Sequence, residues 1–258
     1  MSFKKIINTA FPKEHGSWGL TYEPLLLAVI VAYSFAGLMT ALAAFVIFLS
    51  HQPVRILLNK NITGEIKKHA LLPLTVYSIT VFLLFYFAFT NGKIENFIPF
   101  FAGIFLMLVF LVIETLGYGR NLAAEFIAPS AFGFIALTIT LLGEFEFYSA
   151  LGVLSLIYSR SITTIFYVHE KLLLQKGNKI SKLPTRLSEL FFFILLVYFA
   201  TESFIPVTGL AAALIIFARA EYGLAKFRKE DTVKKVGIGE FAYGVIFILI
   251  VSVSYYFV

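Results

Sequence analysis

The sequence predicts an all-α protein, a polytopic integral membrane helical bundle of about nine transmembrane helices forming one transmembrane domain over 1–258. Three observations predict it: a composition too apolar for a soluble surface, apolar runs of membrane-crossing length, and basic residues confined to alternate loops. Of the 258 residues, 59% are hydrophobic and 14% charged, against about 25% charged in a typical soluble domain. Mean hydropathy is +0.88. So little charge leaves a soluble fold without enough polar side chains to cover itself.

The apolar runs are close to the roughly 17–25 residues that cross a hydrocarbon core, and they are continuous rather than alternating, which selects helices over barrel strands. Span one is read over 20–35, just after Trp18-Gly19, and is short. Span two, 37–56, ends in the polar stretch Ser50 to Arg55. Span three, 70–90, stops at the tight-turn pair Asn91-Gly92, and span four covers 97–116. Span five, 121–142, is closed by Gly143, and span six, 148–168, leads to a loop punctuated by Gly177-Asn178. Pro184 ends that loop before the short span seven, 187–202. Only Glu202 to Pro206 separates it from span eight, 204–219, and span nine is 238–257.

With nine spans, every Lys and Arg except Lys93 falls on the side of the N-terminus, while Glu95, Glu144, Glu146 and Glu202 share the opposite side with Lys93. A wrong helix count would scramble that split. By the positive-inside rule the N-terminus is cytoplasmic and the C-terminus extracytoplasmic. The net charge of +6 and pI near 9.3 are then loop charge rather than a nucleic-acid surface, and no nucleic-acid partner is expected. There is no cysteine, which excludes disulfides, thiolate metal sites and a cysteine nucleophile. Residues 1–15 are too polar for a signal-peptide core, so no cleaved leader is expected. The sequon Asn61-Ile62-Thr63 lies on the cytoplasmic side and is read as empty.

Four polar constellations interrupt this pattern. The first is Pro12 to Gly19, holding Glu14, His15 and the only Trp, with Glu23 a turn or more later. An interfacial anchor explains the Trp, but a carboxylate inside an apolar run needs a partner. The second is Ser50 to Lys60, where His51, Arg55 and Asn59 recur every four residues and share one helix face. Gln52 lies beside them, and Pro53 brings the prospect of a kink. The third joins Glu114, Tyr118, Arg120, Asn121 and Glu125 across the turn between spans four and five, where Arg120 can pair with either Glu. The fourth runs from Tyr158 through Arg160, Thr163 or Thr164 and Tyr167 to His169, Glu170 and Lys171, and Arg160 is too deep for a loop charge. Arg219, Glu221 and Glu240 add polar groups on the same side. Each has a bland explanation as snorkelling, an ion pair or an anchor. Together they suggest a polar pocket opening to the cytoplasm.

The Pro-Lys-Glu-His-Gly-Ser-Trp-Gly start, the His-Gln-Pro-Val-Arg stretch at 51–55 and the Arg160 region resemble the YwiC-like family of bacterial membrane proteins, over most of the chain. That likeness implies a bacterial inner (cell) membrane location. More distantly, the chain resembles the UbiA superfamily of intramembrane prenyltransferases, which also have nine helices with functional motifs at the cytoplasmic ends of helices two and six. The stretches 51–60 and 160–171 occupy those places, and the Pro129 to Gly143 stretch is similar to the corresponding fifth helix. The superfamily holds magnesium and a prenyl diphosphate with paired Asp-rich motifs. Here the single aspartate is Asp231, and hard cations need several oxygen ligands, so no metal site is expected.

The resemblance implies a pocket for an anionic or quinone-like (isoprenoid) lipid. Arg55 and Arg160 would hold its head group, His51 and His169 would move protons, and Glu14 or Glu114 would serve as base or ion partner. His15, Gln52, Asn59, Arg120 and Tyr167 would line the pocket. The enzymatic version is a divergent prenyl or related alkyl transfer. The alternative is a membrane transporter, whose usual mark is an internal repeat with broken helices, or a non-catalytic lipid-binding or structural subunit. Pro53 and Gly117 with Gly119 hint at breaks, and no repeat of whole helices is visible.

Overall fold

The computed structural model describes residues 3–12, 15–119, 121–225 and 232–257. It contains α1 (Phe3–Ala10), α2 (His15–Val31), α3 (Phe35–Leu58), α4 (Gly64–Asn91), α5 (Ile98–Thr115), α6 (Leu122–Leu142), α7 (Phe147–Gln175), α8 (Leu183–Thr201), α9 (Thr208–Gly223) and α10 (Val233–Tyr256). A 3-10 turn, Ile94–Phe97, leads into α5. No strand occurs among the described residues. The nine expected spans correspond to α2 through α10, and α1 is a short additional helix packed on α3 and α4. Thr9 Oγ1 on α1 donates to the His69 carbonyl at 3.3 Å, and Tyr77 Oη donates to that of Ala10 at 3.2 Å.

Seven of these helices are long and apolar enough to cross a membrane: α3 to α8 and α10. With 17 and 16 residues, α2 and α9 are shorter. The protein is a multi-pass membrane protein. Its helices keep their backbone bonds internal, as a hydrocarbon solvent demands. Ser34 starts α3 by accepting from the Gly37 N–H at 3.0 Å, which satisfies one of the free donors of the first turn. The helix α3 runs on past Pro53 to Leu58. Asn59 then caps it, its N–H donating to the Arg55 carbonyl at 3.1 Å.

The core lies on α6 and α7, the two most buried of the long helices. Small residues let neighbours come close: α3 buries Ala36, Gly37, Thr40, Ala41, Ala43 and Ala44. Gly133 of α6 faces the Tyr158 ring of α7 so closely that a Cβ would overlap it, while Tyr158 Oη donates to the Ser130 carbonyl at 2.9 Å. α4 and α5 form the rim, with Phe82 73%, Ile98 70% and Phe105 65% exposed. Such side chains suit contact with acyl chains, where exposed apolar surface carries no hydration cost.

The two ends of the bundle differ in chemistry. One gathers the loops with Lys93, Glu95, Glu144, Glu146 and Glu202, where Gly143 abuts Ala32 and Tyr256 Oη donates to the Ile30 carbonyl at 2.7 Å. The other holds the loops with Lys60, Lys67, Lys68, Lys176, Lys182 and Arg186. At this basic end Arg186 meets Glu221 at 2.5 and 2.9 Å, and Lys171 Nζ donates to the Gly223 carbonyl at 2.8 Å.

Candidate functional site

Two polar groups form near the basic end, and no helix is common to both. The first joins α3 to α5. His51 sits one turn before Arg55 on α3, so both side chains project toward the same neighbour. Glu114 is the penultimate residue of α5. His51 Nε2 lies 2.6 Å from Glu114 Oε2, and Arg55 Nε lies 3.5 Å from Glu114 Oε1. The His51 ring also tilts against Phe110, one turn earlier on α5, at 5.9 Å. Exposure grades across the group, with side chains 14% exposed at Glu114, 24% at His51 and 46% at Arg55. A half-exposed guanidinium beside a nearly covered carboxylate keeps its charge within reach of solvent or a head group.

Gln52 is half-buried beside this group, and Asn59 is exposed, its Oδ1 accepting from the Asn61 N–H at 2.9 Å. Asn59 thus shapes the chain's exit from α3. Trp18 packs edge-on to Phe45 and Phe48 of α3 at 6.0 and 5.5 Å, fixing α2 beside the His51 helix. Glu14, Arg120 and the side chain of His15 lie outside the described residues.

The second group is buried among α2, α7, α9 and α10. Arg160 is 4% exposed and Arg219 6%. Arg160 donates through NH2 to the Glu240 carbonyl oxygen at 2.8 Å and through NH1 to Glu240 Oε2 at 3.3 Å. Its Nε lies 3.5 Å from Glu23 Oε2. Arg219 binds the same Glu240 oxygen, and its guanidinium carbon stands 4.2 Å over the Tyr167 ring. Thr164 Oγ1, one turn after Arg160, accepts from both arginines. Gly244 passes so close to the Glu23 carboxylate that any side chain there would collide with it.

Two arginines and two glutamates make a neutral cluster, the form in which charges persist in a low-dielectric interior. The room beside it is about 10 Å3, between Glu23, Leu27, Arg160 and Phe247, about one water. His169 is exposed near the end of α7, an electrostatic neighbour of Glu125 on α6. Glu170 accepts from Thr185 Oγ1 of α8 at 2.7 Å. Among the described residues no group of three or more His, Asp or Glu is arranged to hold a metal ion.

The structure therefore brings His51, Arg55 and Glu114 together, and separately brings Arg160 and Tyr167 together with Glu23, Arg219 and Glu240. These last three were visible in the sequence as intramembrane charges. Their mutual pairing was not, because it joins four helices far apart in the chain.

A protein-family model described as YwiC-like protein matches residues 11–140, half of the chain. The chain belongs to the YwiC-like family. The match runs from the Pro12 motif to α6 and takes in the whole of the His51, Arg55 and Glu114 group. In this YwiC-like protein Arg160, Arg219 and Glu240 lie beyond the matched segment. No curated protein and no solved structure matches the chain.

Proposed function

We propose that this YwiC-like protein binds an anionic or quinone-like isoprenoid lipid at the cytoplasmic boundary of a bacterial inner membrane, with its N-terminus inside. The observation that carries this reading is the His51–Glu114 contact at 2.6 Å with Arg55 half-exposed beside it. It sits at the membrane-boundary ends of two helices whose outer surfaces are apolar. Arg55 supplies a permanent charge for a phosphate, carboxylate or quinone oxygen. His51, with one ring nitrogen engaged by Glu114, keeps the other for a proton of the head group, and Gln52 adds a neutral polar contact. The apolar tail lies along the exposed faces of α4 and α5. Arg160 and Tyr167 meet the ligand only once the cluster around Glu240 opens. The likeness to the UbiA superfamily supports the same ligand class, and its enzymatic version is an alkyl transfer made without Asp-rich motifs.

Transport is the second reading, supported by the four buried charges on α2, α7, α9 and α10. Mass spectrometry of lipids retained by gently purified protein separates the two. Under the lipid-binding reading a defined anionic or isoprenoid lipid co-purifies, is lost in Arg55→Ala and is reduced in His51→Ala. If only bulk phospholipid is retained, equally in all three proteins, the reading is wrong.

A further inference from the structure

A cavity lies at the acidic end, away from both polar groups. It measures about 460 Å3, within the roughly 300–1,000 Å3 typical of small-molecule sites. The α6–α7 turn, the α8–α9 link and the end of α10 border it, and it opens to the surface. Its wall is mostly apolar and includes three aromatic rings: Phe145 and Tyr255 lie tilted to each other at 6.0 Å, and Phe204 stacks on Tyr148 behind the wall at 5.4 Å. The α8–α9 link is pinned, since the N–H groups of Phe204 and Ile205 both donate to the Phe199 carbonyl, at 2.9 and 3.3 Å. Gly152 of α7 presses against Ile205. The cavity is thus framed by packed backbone.

Charge selects what fits. Glu146 stands in the cavity wall, and the surrounding end of the bundle carries Glu95, Glu144 and Glu202 against Lys93. No Lys, Arg or His lines the cavity. The Tyr255 hydroxyl is buried there without a hydrogen-bond partner. Aromatic faces attract cations through their quadrupoles, and a carboxylate adds a long-range pull while an anion would find only repulsion. We infer that this cavity is a binding site for a small hydrophobic organic cation, such as a quaternary ammonium or phosphonium compound.

The test uses the full-length protein in dodecyl maltoside micelles, which carry no charged groups, with binding to protein-free micelles subtracted, tetraphenylphosphonium as probe and tetraphenylborate as its anion of equal size. Saturable binding of the cation, absent for the borate, is expected. Glu146→Gln should weaken it about fivefold, an exposed-charge effect. Val207→Trp, at a rim position 67% exposed and so harmless to the core, should abolish it. Equal binding of the two ions, no saturable binding of the cation, or binding unchanged in both variants overturns the assignment. Arg55→Ala leaves cation binding unaltered, so this test is independent of the lipid reading.

Discussion

The two polar groups use the same residue types to opposite effect. Around Glu240, two arginines are 4% and 6% exposed and every charge is answered by another inside the bundle. Around Glu114, the arginine side chain is 46% exposed and lies where solvent reaches it. In the first, desolvation makes each charge depend on its partners, so the cluster acts as a tie between α2, α7, α9 and α10. In the second, water or a head group can share the guanidinium, and exchanging one oxygen partner for another costs little. The difference teaches that depth, more than residue identity, separates a structural charge from one available to a ligand.

The largest expected effect is at the buried cluster. Glu240→Ala leaves Arg160 and Arg219 without their shared carboxylate and should destabilise the protein by about 3–5 kcal/mol, read as a lower midpoint in thermal unfolding in detergent. A midpoint equal to wild type would remove the cluster's structural role. Next, Gly133→Leu drives a side chain into the Tyr158 ring and should cost about 1–3 kcal/mol by overpacking, while a polar surface change on α8 would not. Its unfolding curve should shift without altering lipid retention.

Smaller in stability but larger in binding is Glu114→Gln. Because its partners are part-exposed, stability should fall by no more than about 1 kcal/mol, read as a small shift of the unfolding midpoint, while retained lipid falls with the loss of His51 orientation. A variant that unfolds as readily as Glu240→Ala would show that the two groups are energetically alike. The smallest effect is expected for Arg186→Ala at the exposed bridge to Glu221. Its midpoint should match wild type in high salt, where screening already weakens such pairs.

Much of the fold was legible in the chain. The limits of α4, α7 and α10 lie within several residues of the apolar runs, extended at the basic end by polar turns such as Gly64 to His69 and His169 to Gln175. Those turns carry too much charge to be counted by hydropathy, yet their backbone continues the helix. α1 escaped notice because eight residues with Lys4 and Lys5 among them make no apolar run. At the candidate site, the pairing of His51 with Arg55 on one face followed from helical periodicity alone.

What the sequence by itself determined was therefore local and one-dimensional: the helices, the separation of basic from acidic ends, and the shared face of His51 and Arg55. Run length, charge sign and a repeat of four are properties of neighbouring residues. Only the tertiary structure decided that Glu114 answers His51, that Glu240 gathers Arg160 and Arg219, and that Phe145, Phe204 and Tyr255 border a cavity. Those partners stand 51 or more residues apart in sequence, except Arg219 and Glu240 on consecutive helices. Which carboxylate a buried arginine meets depends on how helices pack, and close packing is set by small residues such as Gly133 and Gly244 whose neighbours no local pattern names.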